Sequence, residues 1–338
     1  MKPKILFIYS ANSTFVKADR TILEEKFDVN NFCFPGTNGL IKMIIRQISL
    51  LFWLLINIWK AKSIYIWFAD YHSFFPTVLG KLLFKDVFLV IGGYDVIHLP
   101  EIKYGSLKNP IRKFCTLKSI KYASKNLAVS NYILKKIGEI VPEAKSVLCY
   151  NAVKSDLFQP NYSVKQNVIL TVGIIDSLQR FKLKGIDIFL EVAKNTPEYE
   201  FIIVGITNEL LKQIGEFSSN VKTYPIVDQK ELIELYQEAK VYCQFSMVES
   251  FCLTLNEAML CGSTGIVLNN GALSEVLGGY GKILENNEIN NAKDEIEKLI
   301  QNFDKNVSEE ARQYVRENYS ISRRKEILQS IMLDNQGN

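Results

Sequence analysis

The sequence predicts an α/β protein made of two doubly wound parallel-sheet domains in succession, and three observations predict it. Short apolar runs rich in β-branched and aromatic residues alternate with helical stretches, and that alternation restarts after a break near residue 160. The third is length: 338 residues exceed what one core holds, because single cores stop growing near roughly 250–300 residues.

In the first half Ile5–Tyr9, Ser63–Phe68, Val87–Ile91, Asn126–Ser130 and Ser146–Tyr150 read as strands. Strands covered on both faces show continuous apolar runs instead of alternation, which makes these buried and parallel. In the second half the same reading falls on Asn167–Gly173, Tyr199–Gly205, Val221–Tyr224, Val241–Phe245 and Gly265–Leu268. Asn151–Pro160 ends in turn residues and a proline, as suits a linker at the mouth of an interdomain cleft. The expected division is 1–155, 156–310 and a helical, charged tail over 311–338 that returns toward the first domain.

Met1–Tyr9 enters an apolar run that stops at Ser10, too soon for a signal peptide, and the six cysteines show no CxxC pair. A reducing, cytoplasmic setting is expected, with neither a zinc site nor a disulfide framework. Residues 1–160 carry 22 Lys+Arg against 11 Asp+Glu, whereas the remainder carries 18 against 25. The first half is therefore drawn to anionic surfaces and the second is not. The basic residues are dispersed without a recognition motif, which speaks against nucleic acid and favours an anionic membrane face, at the inner side of the cell membrane. Ile48–Trp59 is apolar nearly all round, with Lys42 and Arg46 before it and Lys60 and Lys62 after it. At about a dozen residues it is too short to span a bilayer, which needs roughly 20. Either it lies in a membrane interface, or it is a crossover helix buried against the first sheet, as uniform hydrophobicity favours.

The chemistry concentrates in Ser246–Gly262, a strand-to-helix turn followed by a helix that stops at Gly262. Such a turn presents backbone N–H groups to an anion. Glu249 sits in the turn and Glu257 two helical turns on, about 12 Å away at 1.5 Å per residue. That exceeds the roughly 5–9.5 Å of a glycosidase acid–base pair and suits two carboxylates gripping two ends of an elongated ligand with paired hydroxyls, such as a nucleotide sugar.

Glu249 and Glu257 with seven residues between them, Ser246 before them and Ala258-Met259 and Gly262 after them, resemble the E-x7-E signature of the family 4 glycosyltransferases. The resemblance implies a GT-B fold, two Rossmann-like domains facing a cleft. It implies that Glu249 contacts the donor sugar and Glu257 the ribose, with the backbone amides of Phe251, Cys252 and Leu253 lining sugar and phosphate. The family usually has Gly-Phe-Gly after the first Glu, and this chain has Ser250-Phe-Cys252.

Val172–Ala193 is similar to the family's glycine, arginine and Lys-Gly pattern: Gly173 ends a strand, Arg180, Lys182 and Lys184 lie in a loop, and an amphipathic helix starts near Gly185. The family's arginine directly follows the glycine, where this chain has Ile174. Breaking a sugar–diphosphate bond leaves negative charge on the departing oxygen. The chain has no Asp-x-Asp pair, so Arg180 and Lys184 are expected to stand in for a metal. No metal and no cofactor are expected; the nucleotide sugar is a substrate.

In the first half Val90–His98 follows a strand, and its glycines allow a tight turn that leaves Asp95 and His98 at a cleft edge. This resembles the family's acceptor-side His-Gly-x-Asp loop, with Gly92 where the His stands. Asp95 either orients the acceptor hydroxyl and steadies positive character on the sugar ring, or is a buried Asp capping the next helix. His98 is either catalytic or structural. Ala128–Ser130 and Asn151–Phe158 are similar to the family's strand-end serine and linker.

The function so implied is metal-independent, retaining sugar transfer from a nucleotide-sugar donor to a glycan or lipid-linked acceptor, as in surface polysaccharide or glycolipid assembly. The alternatives are a nucleotide-sugar epimerase of the same fold and a non-catalytic sugar-nucleotide-binding scaffold.

Overall fold

The computed structural model describes residues 2–36, 39–285 and 289–334. The chain forms two units: Met1–Ala152 with Arg324–Asn338, and Val153–Arg323. The first boundary lies a few residues before the expected one, and the returning segment starts at Arg324 instead of residue 311.

The first unit runs β1 (Lys4–Tyr9), α1 (Thr14–Glu24), β2 (Asp28–Cys33), α2 (Leu40–Asn57), β3 (Ser63–Trp67), α3 (Tyr71–Leu82), β4 (Asp86–Ile91), α4 (Pro110–Tyr122), β5 (Lys125–Ala128), α5 (Asn131–Ile140) and β6 (Ser146–Leu148). Its strands are parallel in the order β2-β1-β3-β4-β5-β6. The order reverses between β1 and β3, the switch point where doubly wound sheets bind ligands. β2 escaped the sequence reading because Asp-Val-Asn-Asn-Phe-Cys at the sheet edge is half polar.

Within this unit Arg324 and Asp19 form an ion pair with both side chains at most 2% exposed. Arg324 Nη2 donates to Asp19 Oδ2 at 2.7 Å, and Tyr65 OH and Trp67 Nε1 donate to the same oxygen at 2.6 and 2.9 Å. Arg324 Nη1 also donates to the Cys149 carbonyl at 2.9 Å. Burial opposes the guanidinium charge, yet the Asp19 carboxylate holds its pKa well above the ordinary arginine value.

Helix α2 corrects the expectation of burial. It is a crossover helix between β2 and β3, but only Leu50 and Leu54, with Ile58 just beyond it, are buried, and most of its other large apolar side chains are exposed.

The second unit runs β7 (Gln166–Ile175), α6 (Leu178–Leu183), α7 (Ile186–Asn195), β8 (Glu200–Ile206), α8 (Asn208–Ile214), β9 (Val221–Tyr224), α9 (Gln229–Glu238), β10 (Ala239–Gln244), α10 (Leu253–Leu260), β11 (Thr264–Leu268), α11 (Leu273–Leu277), β12 (Gly281–Leu284), α12 (Ile289–Gln301) and α13 (Lys305–Tyr319). Helix α14 (Ile321–Asp334) starts here and enters the first unit at Arg324. The parallel order β12-β11-β10-β7-β8-β9 is the dinucleotide-binding one, with its switch point between β7 and β10. Ile169, Phe189, Phe201, Phe245 and Ile296 lie in one core cluster. Both units are therefore Rossmann-like.

The loop expected over Ile174–Lys184 contains helix α6, because Ser177 supplies an N-cap that accepts from Arg180 N at 3.3 Å. Helix α10 begins only at Leu253, so the stretch from Glu249 to Cys252 is non-helical and the even rise assumed between the two glutamates does not hold.

Candidate functional site

The C-terminal ends of β7 and β10 carry the charged cluster. Lys184 Nζ donates to Glu249 Oε1 at 2.6 Å, and Ser246 Oγ donates to the same oxygen at 2.9 Å. Behind them Gln244 Nε2 donates to Ser246 Oγ at 2.7 Å, and Tyr242 OH donates to Gln244 Oε1 at 2.7 Å. A polar chain thus climbs out of the sheet to the carboxylate. The Lys184 and Glu249 side chains are 25% and 13% exposed, so the pair is shielded but reachable. Burial lowers the lysine's pKa, but the Glu249 carboxylate more than offsets this and holds it above the ordinary value. The stem of Lys184 lies beside Gly173, where a Cβ would stand 3.6 Å from its Cδ.

Two glycines allow this packing. At Gly185 (φ 64°) a Cβ would fall 1.9 Å from the Phe245 carbonyl oxygen, and at Gly271 (φ 70°) 2.1 Å from the Glu249 carbonyl oxygen. The second brings the loop before α11 against Glu249, whose carbonyl accepts from Ala272 N at 2.8 Å.

Cys252 ends the turn with φ 86° and ψ 78°, in the left-handed region that glycine favours. The backbone geometry survives without the glycine, so the substitution leaves strain where the chain enters α10. Among the described residues no side chain caps α10, and first-turn N–H groups have no partner within their own helix. Cys252→Gly is expected to change stability by under about 1 kcal/mol, the lost thiol contacts with Gln244 and Thr254 offsetting the relieved strain. Cys252→Val, β-branched at positive φ, is expected to lose about 2 kcal/mol or more. Denaturant midpoints of the two variants check this contrast.

Glu257 lies in the middle of α10, and Tyr236 OH donates to its Oε2 at 2.9 Å. Burial pushes its carboxyl up to about 7, against the pull of the Tyr236 bond. A carboxyl raised in the folded state makes the folded chain bind more protons than the unfolded one between about pH 4.5 and 7, so stability falls as pH rises through that window. Glu257→Gln is expected to remove this loss, on the order of 2–3 kcal/mol. Denaturant titrations across the window should therefore show the variant gaining on the parent as pH rises.

The remaining site residues fall as follows. Arg180 is on α6, 44% exposed, and pairs with Asp176 at 3.0 Å; its charge nonetheless reaches Lys184, whose pKa it lowers. Lys182 is exposed. Phe251 is buried with its ring 5.1 Å from Tyr319, edge to face, and Leu253 opens α10. In the first unit Asp95 is buried and accepts from Gly93 N at 2.7 Å, Ala69 N at 3.1 Å and Gly92 N at 3.2 Å. Its carboxyl is pushed up to about 6 by burial, against the pull of those bonds. It ties the turn after β4 to the end of β3 and caps no following helix. His98 is exposed. Ser130 caps α5, accepting from Ile133 N at 3.2 Å.

Tyr236, Gln244 and Thr254 escaped the sequence reading. Gln244 had a signal, a polar residue in an otherwise apolar strand; Tyr236 is one aromatic among many on a helix and had none.

Residues 154–318 match the family model described as Glycosyl transferases group 1. A curated relative is one of the subunits of phosphatidylinositol N-acetylglucosaminyltransferase from Arabidopsis thaliana, 24% identical over 208 residues, 58% of this chain and 43% of that protein. The chain thus spans less than half the length of that relative. Sucrose-phosphate synthase of Thermosynechococcus elongatus has a similar structure, with a TM-score of 0.79 at 13% identity over 99% of both chains. So does HepE of Anabaena in complex with UDP-glucose, with a TM-score of 0.72 at 15% identity over 98% of this chain and 99% of that one. These likenesses give the fold as GT-B. The stretch that matches the group 1 glycosyltransferase model lies in the second unit and includes the Lys184–Glu249 cluster at its switch point.

Proposed function

We propose that the protein transfers a sugar, with retention of configuration, from a nucleotide-sugar donor to an acceptor hydroxyl borne by a glycan or lipid in the cytoplasm. The observation that carries the reading is the shielded Lys184–Glu249 pair at the switch point of the second sheet, set by Ser246 and Gln244 beside the uncapped start of α10. A helix start and a lysine together suit a diphosphate, and a fixed carboxylate suits sugar hydroxyls. Glu257, raised and hydrogen-bonded by Tyr236, is assigned the ribose. Lys184, aided by Arg180, takes the charge that builds on the departing diphosphate, so that no metal is required.

Two observations favour a uridine diphosphate sugar and a lipid acceptor: the UDP-glucose bound by HepE and the phosphatidylinositol in the curated relative's name. The test is nucleotide release from UDP-, GDP- and ADP-hexoses, with and without EDTA. Release of one nucleotide, unchanged by EDTA and abolished in Glu249→Ala, supports the reading; a folded protein that releases none, or only with added metal, contradicts it.

A further inference from the structure

Helix α2 carries an apolar stripe that no described residue of its own unit covers. Ile41, Ile45, Ile48, Phe52, Leu55 and Trp59 recur at alternating intervals of four and three, which puts them on one side of the helix, and each is 50% to 74% exposed. The opposite side, with Leu50, Leu54 and Ile58, faces the sheet. Asn57 accepts there from Asn30 Nδ2 at 2.8 Å, and Trp53 packs on Phe32 at 5.1 Å. Charge around the stripe has one sign: from residue 29 to residue 69 the chain has no carboxylate, and its cations are Lys42, Arg46, Lys60 and Lys62. Lys42, Lys60 and Lys62 are exposed, while Arg46 is turned to the Pro35 carbonyl.

We infer that α2 is a monotopic membrane anchor whose stripe lies in the plane of an anionic bilayer surface, with Trp59 and the flanking lysines at headgroup level. Apolar side chains on one face with cations at its borders match the acyl boundary and the anionic headgroups together. A second copy of the chain is the poorer occupant, because pairing two such stripes would oppose cation to cation. Leu40–Lys60 is long and apolar enough to cross a membrane by length. Crossing would strip Leu50, Leu54 and Ile58 from the core and break the Asn57–Asn30 and Trp53–Phe32 contacts, whereas lying flat leaves them intact. Helix α3 packs beside α2 and ends near Leu82 and Phe84, 66% and 96% exposed, which extend the apolar surface.

The test is co-sedimentation with vesicles of phosphatidylcholine alone and of phosphatidylcholine mixed with phosphatidylglycerol. It is run on the full chain, on Ile48→Asp/Phe52→Asp and on Lys60→Glu/Lys62→Glu, with circular dichroism checking the fold. The chain is expected to bind the anionic vesicles and to be released by an alkaline carbonate wash. The apolar double variant should lose about tenfold or more in partitioning, and the charge variant should lose severalfold and become insensitive to salt. The inference is overturned if the parent stays in the supernatant, if the double variant binds as well as the parent, if the wash leaves the protein in the membrane, or if the stripe instead drives dimerisation in solution without vesicle binding. Nucleotide titration of the second unit is scored separately, so failure of either proposal does not decide the other.

Discussion

Lys184→Ala is expected to lower nucleotide-sugar turnover by about 10²–10³-fold, the cost of removing one preorganised charge from where negative charge develops. The position is set from several sides: the lysine stem lies on Gly173, its ammonium is 2.6 Å from Glu249, and Glu249 is fixed by Ser246. Lys184→Met keeps much of the stem and removes the charge, and should fail as badly as Ala; near-parent turnover in the Met variant would place the work in the stem alone. Arg180→Ala should cost less, because its guanidinium is 44% exposed and paired with Asp176. Turnover of the three variants at saturating donor separates the two cations.

Arg324→Met is expected to destabilise the first unit by about 3–5 kcal/mol, because Asp19 is left buried without its counter-charge. The hydrogen bonds from Tyr65 and Trp67 remain but carry no charge to balance it. Asp19→Leu with Arg324→Met should recover most of the loss, since an ion pair replaced at both ends leaves no uncompensated charge. The three tryptophans, Trp53, Trp59 and Trp67, all belong to the first unit, so tryptophan emission during denaturation follows that unit alone. Equal midpoints for the parent and Arg324→Met would contradict this account.

What the sequence made legible follows from burial. All eight strands interior to the two sheets are among the ten named from it, whereas of the four edge strands β6 and β9 were named and β2, half polar, and β12, four residues long, were not. At α2 the sequence left burial and a membrane interface open, and the run is largely exposed; hydrophobicity reports an apolar surrounding and not whether protein supplies it. In the second unit the resemblance to the E-x7-E and Lys-Gly patterns brought Glu249, Lys184 and Ser246 to notice, and the fold joins them by hydrogen bonds. The Glu257–Tyr236 bond was invisible because it joins helices α9 and α10, a pairing that no local pattern encodes. Asp19–Arg324 spans 305 positions and was hidden for the same reason.

Titration calorimetry of the full chain against UDP, GDP and ADP, without added metal, tests whether the Lys184–Glu249 cluster and Glu257 form a nucleotide-sugar site. Micromolar binding of one nucleotide is expected, weakened by about 1–3 kcal/mol in both Lys184→Ala and Glu257→Ala, the range for losing hydrogen bonds to charged groups. Absence of binding to all three by a folded protein, or binding that neither substitution weakens, would contradict that assignment.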